Sequence, residues 1–224
     1  MSITSEPSRE TPRSTPRVHA QVALGLLEGL RDQDRPPEIL DDENLTLTLP
    51  RRLGLSDVVD TQIRRYRDDA RRRRRIPDEE ALGLIQLVIR RPDSDELFLQ
   101  LGADLHGDPG GPGLRRFLPR RVLEIQAGRG VRRRLRNLFG RRMVTTATGP
   151  FSITARDDLL IRGDPGGDAC CIVTGLARCE LERFGIDPRA FRHVECRGRG
   201  DERCRWSLPS DDPALPPDAP TEDS

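Results

Sequence analysis

The segment Phe191–Trp206, FRHVECRGRGDERCRW, gathers one of three histidines and two of five cysteines into a hairpin-sized stretch. If its turn is centred near Gly200, Cys196 and Cys204 face each other on paired strands, with Cβ atoms roughly 4.5–5.5 Å apart. Two thiolates at that separation can share a Zn²⁺ ion, which takes sulfur ligands at ~2.3 Å in a tetrahedron. Further ligands must come from nearby. His193 lies three residues before Cys196, and Cys170 and Cys171 open the apolar stretch CCIVTGLARCELERFG. A helix N-terminus favours a thiolate because its unpaired N–H groups present positive charge.

Other chemistries compete for the same residues. A cross-strand disulfide is strained and rare in a reducing compartment. A catalytic thiol needs a base and a pocket, and no Cys-His-Asn arrangement is visible. Plain buried cysteine stays open, since free cysteine is among the most buried residue types. The metal has a geometric difficulty as well. In an ideal strand the odd offset from His193 to Cys196 puts them on opposite faces, so a bulge or a strand end must bring them together.

The elements that would position these residues are legible from periodicity. VHAQVALGLLEGLR reads as a helix with Val22, Leu24, Leu26, Leu27 and Leu30 apolar, RPPEILDDEN as a loop and LTLTLP as a short strand. Ser56 can cap a helix whose stripe is Val58, Val59, Ile63 and Tyr66. That helix runs into Arg71–Arg75, which reads as a solvated C-terminal end partnered by Asp68 and Asp69, against a competing reading as a nucleic-acid or anionic-lipid patch. Pro77 opens DEEALGLIQLVIRR, whose stripe of Leu82, Ile85, Val88 and Ile89 serves equally as core or as a dimer face. SDELFLQLGADLHG is a further helix, with His106 expected at the surface near its end. LRRFLPRRVLEIQAG and VRRRLRNLFG read as two shorter helices. MVTTATGPFSITAR then reads as two strands around Thr148-Gly149-Pro150. The loop RGDPGGDA leads to the cysteine-bearing helix, closed by Gly185, and to the hairpin. The expected fold is α+β: N-terminal helices packed on a mainly antiparallel sheet, then a C-terminal helix and a Cys-containing β-hairpin.

Composition sets the outer bounds. Residues 1–17 and 209–224 lack apolar periodicity and read as disordered tails around one domain over 18–208. The 38 cationic residues are all arginine, and the net charge of +1 gives no overall pull toward nucleic acid or membrane. No secretory signal and no apolar run long enough to span a bilayer are present, which points to a cytoplasmic protein.

The stretch CCIVTGLARCELERFGI…FRHVECRGRGDERCRWSL resembles the C-terminal half of the 4-vinyl-reductase-like domain, most closely as found in the sensor domains of phenol-responsive transcriptional activators. Such domains hold a structural zinc through a helix cysteine, an acidic residue three before the hairpin's first cysteine, and both hairpin cysteines. The resemblance implies a site of Cys170, His193, Cys196 and Cys204, with His193 standing where the family has an acid and Cys171 competing for the helix position. Imidazole is an equally good zinc ligand, so the site becomes Cys₃His. Cys179 is expected to face the core or stay free. Upstream, from about Arg51 to Ile161, the likeness is only one of element order. The family's fold is related to haem–nitric-oxide-binding domains and to small vesicle-tethering subunits, and encloses an apolar pocket for aromatic or lipid-like ligands.

Three functions follow as expectations. The first is a non-catalytic small-molecule sensor or carrier with a structural zinc, expected to signal through a protein partner or to deliver its ligand because the chain stops at Ser224. The second is a chlorophyll-pathway protein that binds or scaffolds a tetrapyrrole. The third is a homodimerising module. RGDPGGDA lacks the order of a dinucleotide or P-loop fingerprint, and no flavin signature is present. The only tyrosine, Tyr66, precedes His106, so the haem relatives' Tyr-x-Ser-x-Arg motif is missing and no haem is expected.

Overall fold

Seven α-helices and six strands form among the described residues of a computed structural model, namely 17–33, 57–107, 118–140, 144–148, 151–155 and 159–209. The helices are α1 (Ala20–Gln33), α2 (Asp57–Arg71), α3 (Asp78–Val88), α4 (Ser94–His106), α5 (Arg120–Phe139), α6 (Leu159–Gly163) and α7 (Cys171–Arg183). The strands β1 (Val18–His19) and β2 (Arg75–Ile76) pair antiparallel. The strands β3 (Val144–Thr148), β4 (Phe151–Ala155), β5 (Arg192–Glu195) and β6 (Arg205–Ser207) form a second antiparallel sheet in the order β3-β4-β6-β5. The architecture is the expected α+β one. Both tails, RPPEILDDEN, LTLTLP and the Ser56 cap lie outside the described residues, apart from Arg17 and Pro209 at the tails' inner edges.

Amphipathic stripes explain most of the packing. Val22, Leu26 and Leu27 of α1, Ile63 and Tyr66 of α2, and Ile85 and Val88 of α3 enter one core. The α3 stripe is thus occupied inside the chain. Val58 is the exception to the α2 pattern, 64% exposed near the helix start.

Three arginines of the run, Arg72, Arg74 and Arg75, have partners close by. α2 ends at Arg71, Arg73 adopts a left-handed φ of 54°, and the chain enters β2. Arg72 pairs with Asp68 at 3.5 Å and Arg74 with Asp69 at 3.2 Å. Arg75 donates to the carbonyls of Arg17 and Asn137, tying β1 and α5 together.

Two sequence expectations are corrected. The two helices expected around Gly128 and Gly130 are one continuous helix, α5, ended by Gly140 in a left-handed cap. Glycine costs a helix interior up to about 1 kcal/mol. Here both glycines are buried, and Gly130 faces α7 where a Cβ would collide with the Glu180 carboxyl, so tertiary packing overrides propensity. His106 is not a surface residue either. It is fully buried and its Nε2 bonds the Glu180 carboxylate of α7.

α4 and α7 pack closest of all. A Cβ on Gly102 would stand 2.9 Å from the Leu176 nitrogen and 3.0 Å from the Ile172 carbonyl carbon. One on Gly175 would stand 3.1 Å from the Ala103 nitrogen and the Leu99 carbonyl carbon. The missing side chains let two backbones touch. That contact fixes where the first turn of α7, with its cysteines, meets the second sheet.

Candidate metal centre

α7 begins through a 3-10 turn, Asp168–Cys170, whose approach is organised by a buried aspartate. Asp164 accepts from the Gly166 amide at 2.9 Å and from the Ala169 amide at 2.7 Å. Asp168 accepts from Ser94 Oγ at 2.7 Å, which anchors the same turn to α4. Gly167, at φ 93°, passes so close to the hairpin that a Cβ would lie 2.6 Å from Cys196 Sγ. The glycine-rich RGDPGGDA is therefore a packing surface against the cysteine hairpin.

From the other side, β5 and β6 deliver the remaining groups. The β5–β6 register pairs His193 with Trp206 and Glu195 with Arg205, and shifts between His193 and Glu195. This irregularity, with Cys196 just past the strand end, removes the parity problem: both side chains reach one side. Cys196 and Cys204 flank the last strand pair, joined by the 3-10 turn Arg197–Arg199 and by Gly200 at φ 96°. Asp201 ties that loop, accepting from the Cys196 amide at 2.6 Å while its own amide bonds the Cys196 carbonyl at 3.1 Å.

The result is a convergence of Cys170, His193, Cys196 and Cys204, with one ligand atom from each and all four within 4.8 Å of one another. The three cysteines are buried and His193 is partly so. Cys170 Sγ and Cys204 Sγ are 3.8 Å apart. All five cysteines are free thiols. Cys171, the competitor for the helix position, stands outside the cluster and is partly exposed, as is Cys179.

Hydrogen bonding and burial split the behaviour of the three thiols. A hydrogen bond from the Cys170 thiol, helped by the nearby His193 and the Arg197 amide, pulls Cys204 down to about 4, against the upward push of burial. Cys170 is raised in turn, because its proton is held in that bond and because it is buried beside a thiolate. Burial raises Cys196, partly opposed by the Gly198 and Arg199 amides. His193 Nε2 is buried with no hydrogen-bond partner. An orphaned imidazole nitrogen beside three thiols is costly unless something accepts its lone pair or proton. These four residues form a group that could hold a metal ion.

Sequence reasoning missed the support around them. The His193 ring stacks on Trp206 with centroids 4.3 Å apart and planes 10° from parallel. The Trp206 indole donates to Thr174 Oγ1 at 2.9 Å. Thr174 lies four residues after Cys170, on the same helix face, so one face of α7 holds both a ligand and the clamp on the histidine's stacking partner. Asp164 before Pro165-Gly166 and Asp201 after Gly200 were detectable as Asx-type turn residues. The Trp206–Thr174 bond had no sequence signal.

No family model, curated protein or solved structure matches the chain.

Proposed function

We propose that this chain is a zinc-braced, non-catalytic binding domain that senses or carries a small apolar or aromatic ligand. The observation that carries the reading is the convergence of three sulfurs and one imidazole nitrogen within 4.8 Å. Zn–S bonds of ~2.3 Å set at the tetrahedral angle give S···S edges of about 3.8 Å. The Cys170–Cys204 separation is 3.8 Å. A soft, sulfur-rich donor set favours zinc over oxygen-loving cations. Four protein ligands leave no open position for water or substrate, so the ion's part is to brace: it pins the β5–β6 hairpin to the start of α7.

The ligand half of the proposal rests on the resemblance to 4-vinyl-reductase-like sensor domains, and a groove between α1 and α4 supports it. Its volume is about 460 Å³, within the range usual for small-molecule sites. Leu24, Leu97, Leu101 and Leu105 supply its apolar part, and Glu28, Asp32 and Asp104 are among the polar residues that line the rest.

Elemental analysis of protein purified without added metal tests the site and should return one zinc per chain. Cys196→Ser and Cys204→Ser should each lose it and unfold at lower denaturant, whereas a metal-free wild type of unchanged stability refutes the clamp. Native mass spectrometry of the wild type tests the ligand half. A bound apolar species displaced by Leu24→Glu, at a partly buried position of the groove, with the circular dichroism spectrum unchanged, supports it, and a species retained by that variant places the ligand elsewhere.

A further inference from the structure

α5 carries Arg129, Arg132, Arg133 and Arg136 at offsets of three, four and seven residues, which set them along one face of the helix. With Arg183 of α7 they line a cleft of about 420 Å³ between the two helices. None of the four α5 guanidinium groups has a carboxylate partner among the described residues. By contrast Arg72, Arg74, Arg91 and Arg203 are all paired with acids. The row extends about 10 Å along the helix axis at 1.5 Å per residue. That is longer than a single phosphate group and suits a ligand with several anionic groups in sequence.

The base of the cleft has the opposite sign. Glu180 is 3% exposed and lines the cleft. One carboxylate oxygen is held by His106, and the other lies against Gly130, 3.9 Å from Arg183 Nη1. Gly130 leaves the space that this oxygen fills. An acceptor oxygen is thus fixed at the floor of a guanidinium-walled cleft, with Phe184 beside it.

We propose that this cleft is a binding site for a small polyphosphorylated molecule that also carries a hydroxyl or amino donor, such as a nucleoside diphosphate. The phosphates would lie along Arg129, Arg132, Arg133 and Arg136, whose planar forks match phosphate oxygens two at a time. The donor group meets Glu180. The cleft volume is within the range of small-ligand sites. A nucleic-acid strand fits less well, because such grooves pair basic tracks with successive aromatic platforms and Phe184 is the sole aromatic residue lining this cleft. The site is distinct from the cysteine cluster: Glu180 follows Cys170 by ten residues, about 15 Å along the helix.

Isothermal titration calorimetry on the full chain tests this with ADP, inorganic pyrophosphate and a short single-stranded oligonucleotide as probes, at about 0.15 M salt. The expected result is one saturable ADP site per chain, with pyrophosphate weaker because it has no ribose hydroxyl or base amino group to reach Glu180 beyond the arginine row. The double variant Arg133→Gln/Arg136→Gln changes only exposed side chains, and should weaken ADP about tenfold or more while keeping the wild-type metal content. The proposal is overturned if ADP shows no saturable binding up to about 1 mM, if pyrophosphate binds as tightly as ADP, if the double variant binds as well as wild type, or if only the oligonucleotide binds.

Discussion

Replacing Gly175 by alanine is the sharpest test of how the cysteine cluster is positioned. A Cβ there would run into the Leu99 carbonyl oxygen and stand 3.1 Å from two further backbone atoms of α4. Carbon atoms pack at about 3.5–4.0 Å, so α4 and α7 must separate by roughly half an ångström or more. No rotamer change relieves this, because the obstacle is backbone on both sides. Overpacking costs about 1–3 kcal/mol, and alanine recovers up to about 1 kcal/mol over glycine in a helix. With the upper part of the cost range applying, the net loss is about 2 kcal/mol, a fall of roughly 4–8 °C in Tm for a domain of this size. Gly83 of α3 supplies the control, since a Cβ there meets nothing within 4 Å. Gly83→Ala should stabilise by about 0.5–1 kcal/mol. Urea denaturation of both variants reads the two signs directly. The proposed metal site reports too: metal–ligand distances tolerate about ±0.2 Å, so displacing α7 should speed loss of the proposed ion to a chelator in Gly175→Ala. If Gly175→Ala is stabilised like Gly83→Ala, the close crossing of α4 and α7 is not as described and the reasoning fails.

Three further outcomes are expected. Thr174→Val leaves the buried Trp206 indole N–H without its acceptor and should cost about 1–3 kcal/mol in denaturant titrations; a neutral result would mean that the bond does not hold the histidine's stacking partner. His106→Leu strands the Glu180 carboxyl in the interior and should cost about 3–5 kcal/mol, much of it recovered in His106→Leu/Glu180→Leu, so a double-mutant cycle that shows simple additivity contradicts the buried pair. Cys170→Ser should abolish the proposed metal binding while Cys171→Ser keeps it; burial, with Asp95 and Asp168 nearby, pushes the Cys171 thiol up to about 11, so its alkylation rate should still be climbing above pH ~9 as the thiolate forms.

The chain's own pattern determined much of this protein. Local periodicity was enough for the α+β order, for the helices from Pro77 and Ser94, and for the β3–β4 hairpin, because each depends on residues a few positions apart. Cys196 and Cys204 were also legible as a pair, since cysteine is scarce here and their spacing is local within the hairpin, whereas Cys170 and His193 joined them through the family resemblance. What periodicity could not supply was anything set by contact across the chain. Gly128 and Gly130 read as a break, yet α5 runs through them because α7 packs on that face. His106 read as a surface residue because its partner, Glu180, lies 74 positions away. The choice of Cys170 over Cys171 rested on the family pattern alone until Asp164, Gly167 and the α4–α7 crossing set the entry angle of α7. Likewise, the register shift in β5 let His193 and Cys196 share a side. Residue types and spacing thus marked out the candidate ligands, while long-range packing decided which of them meet, because a convergent site needs separate elements held within tenths of an ångström.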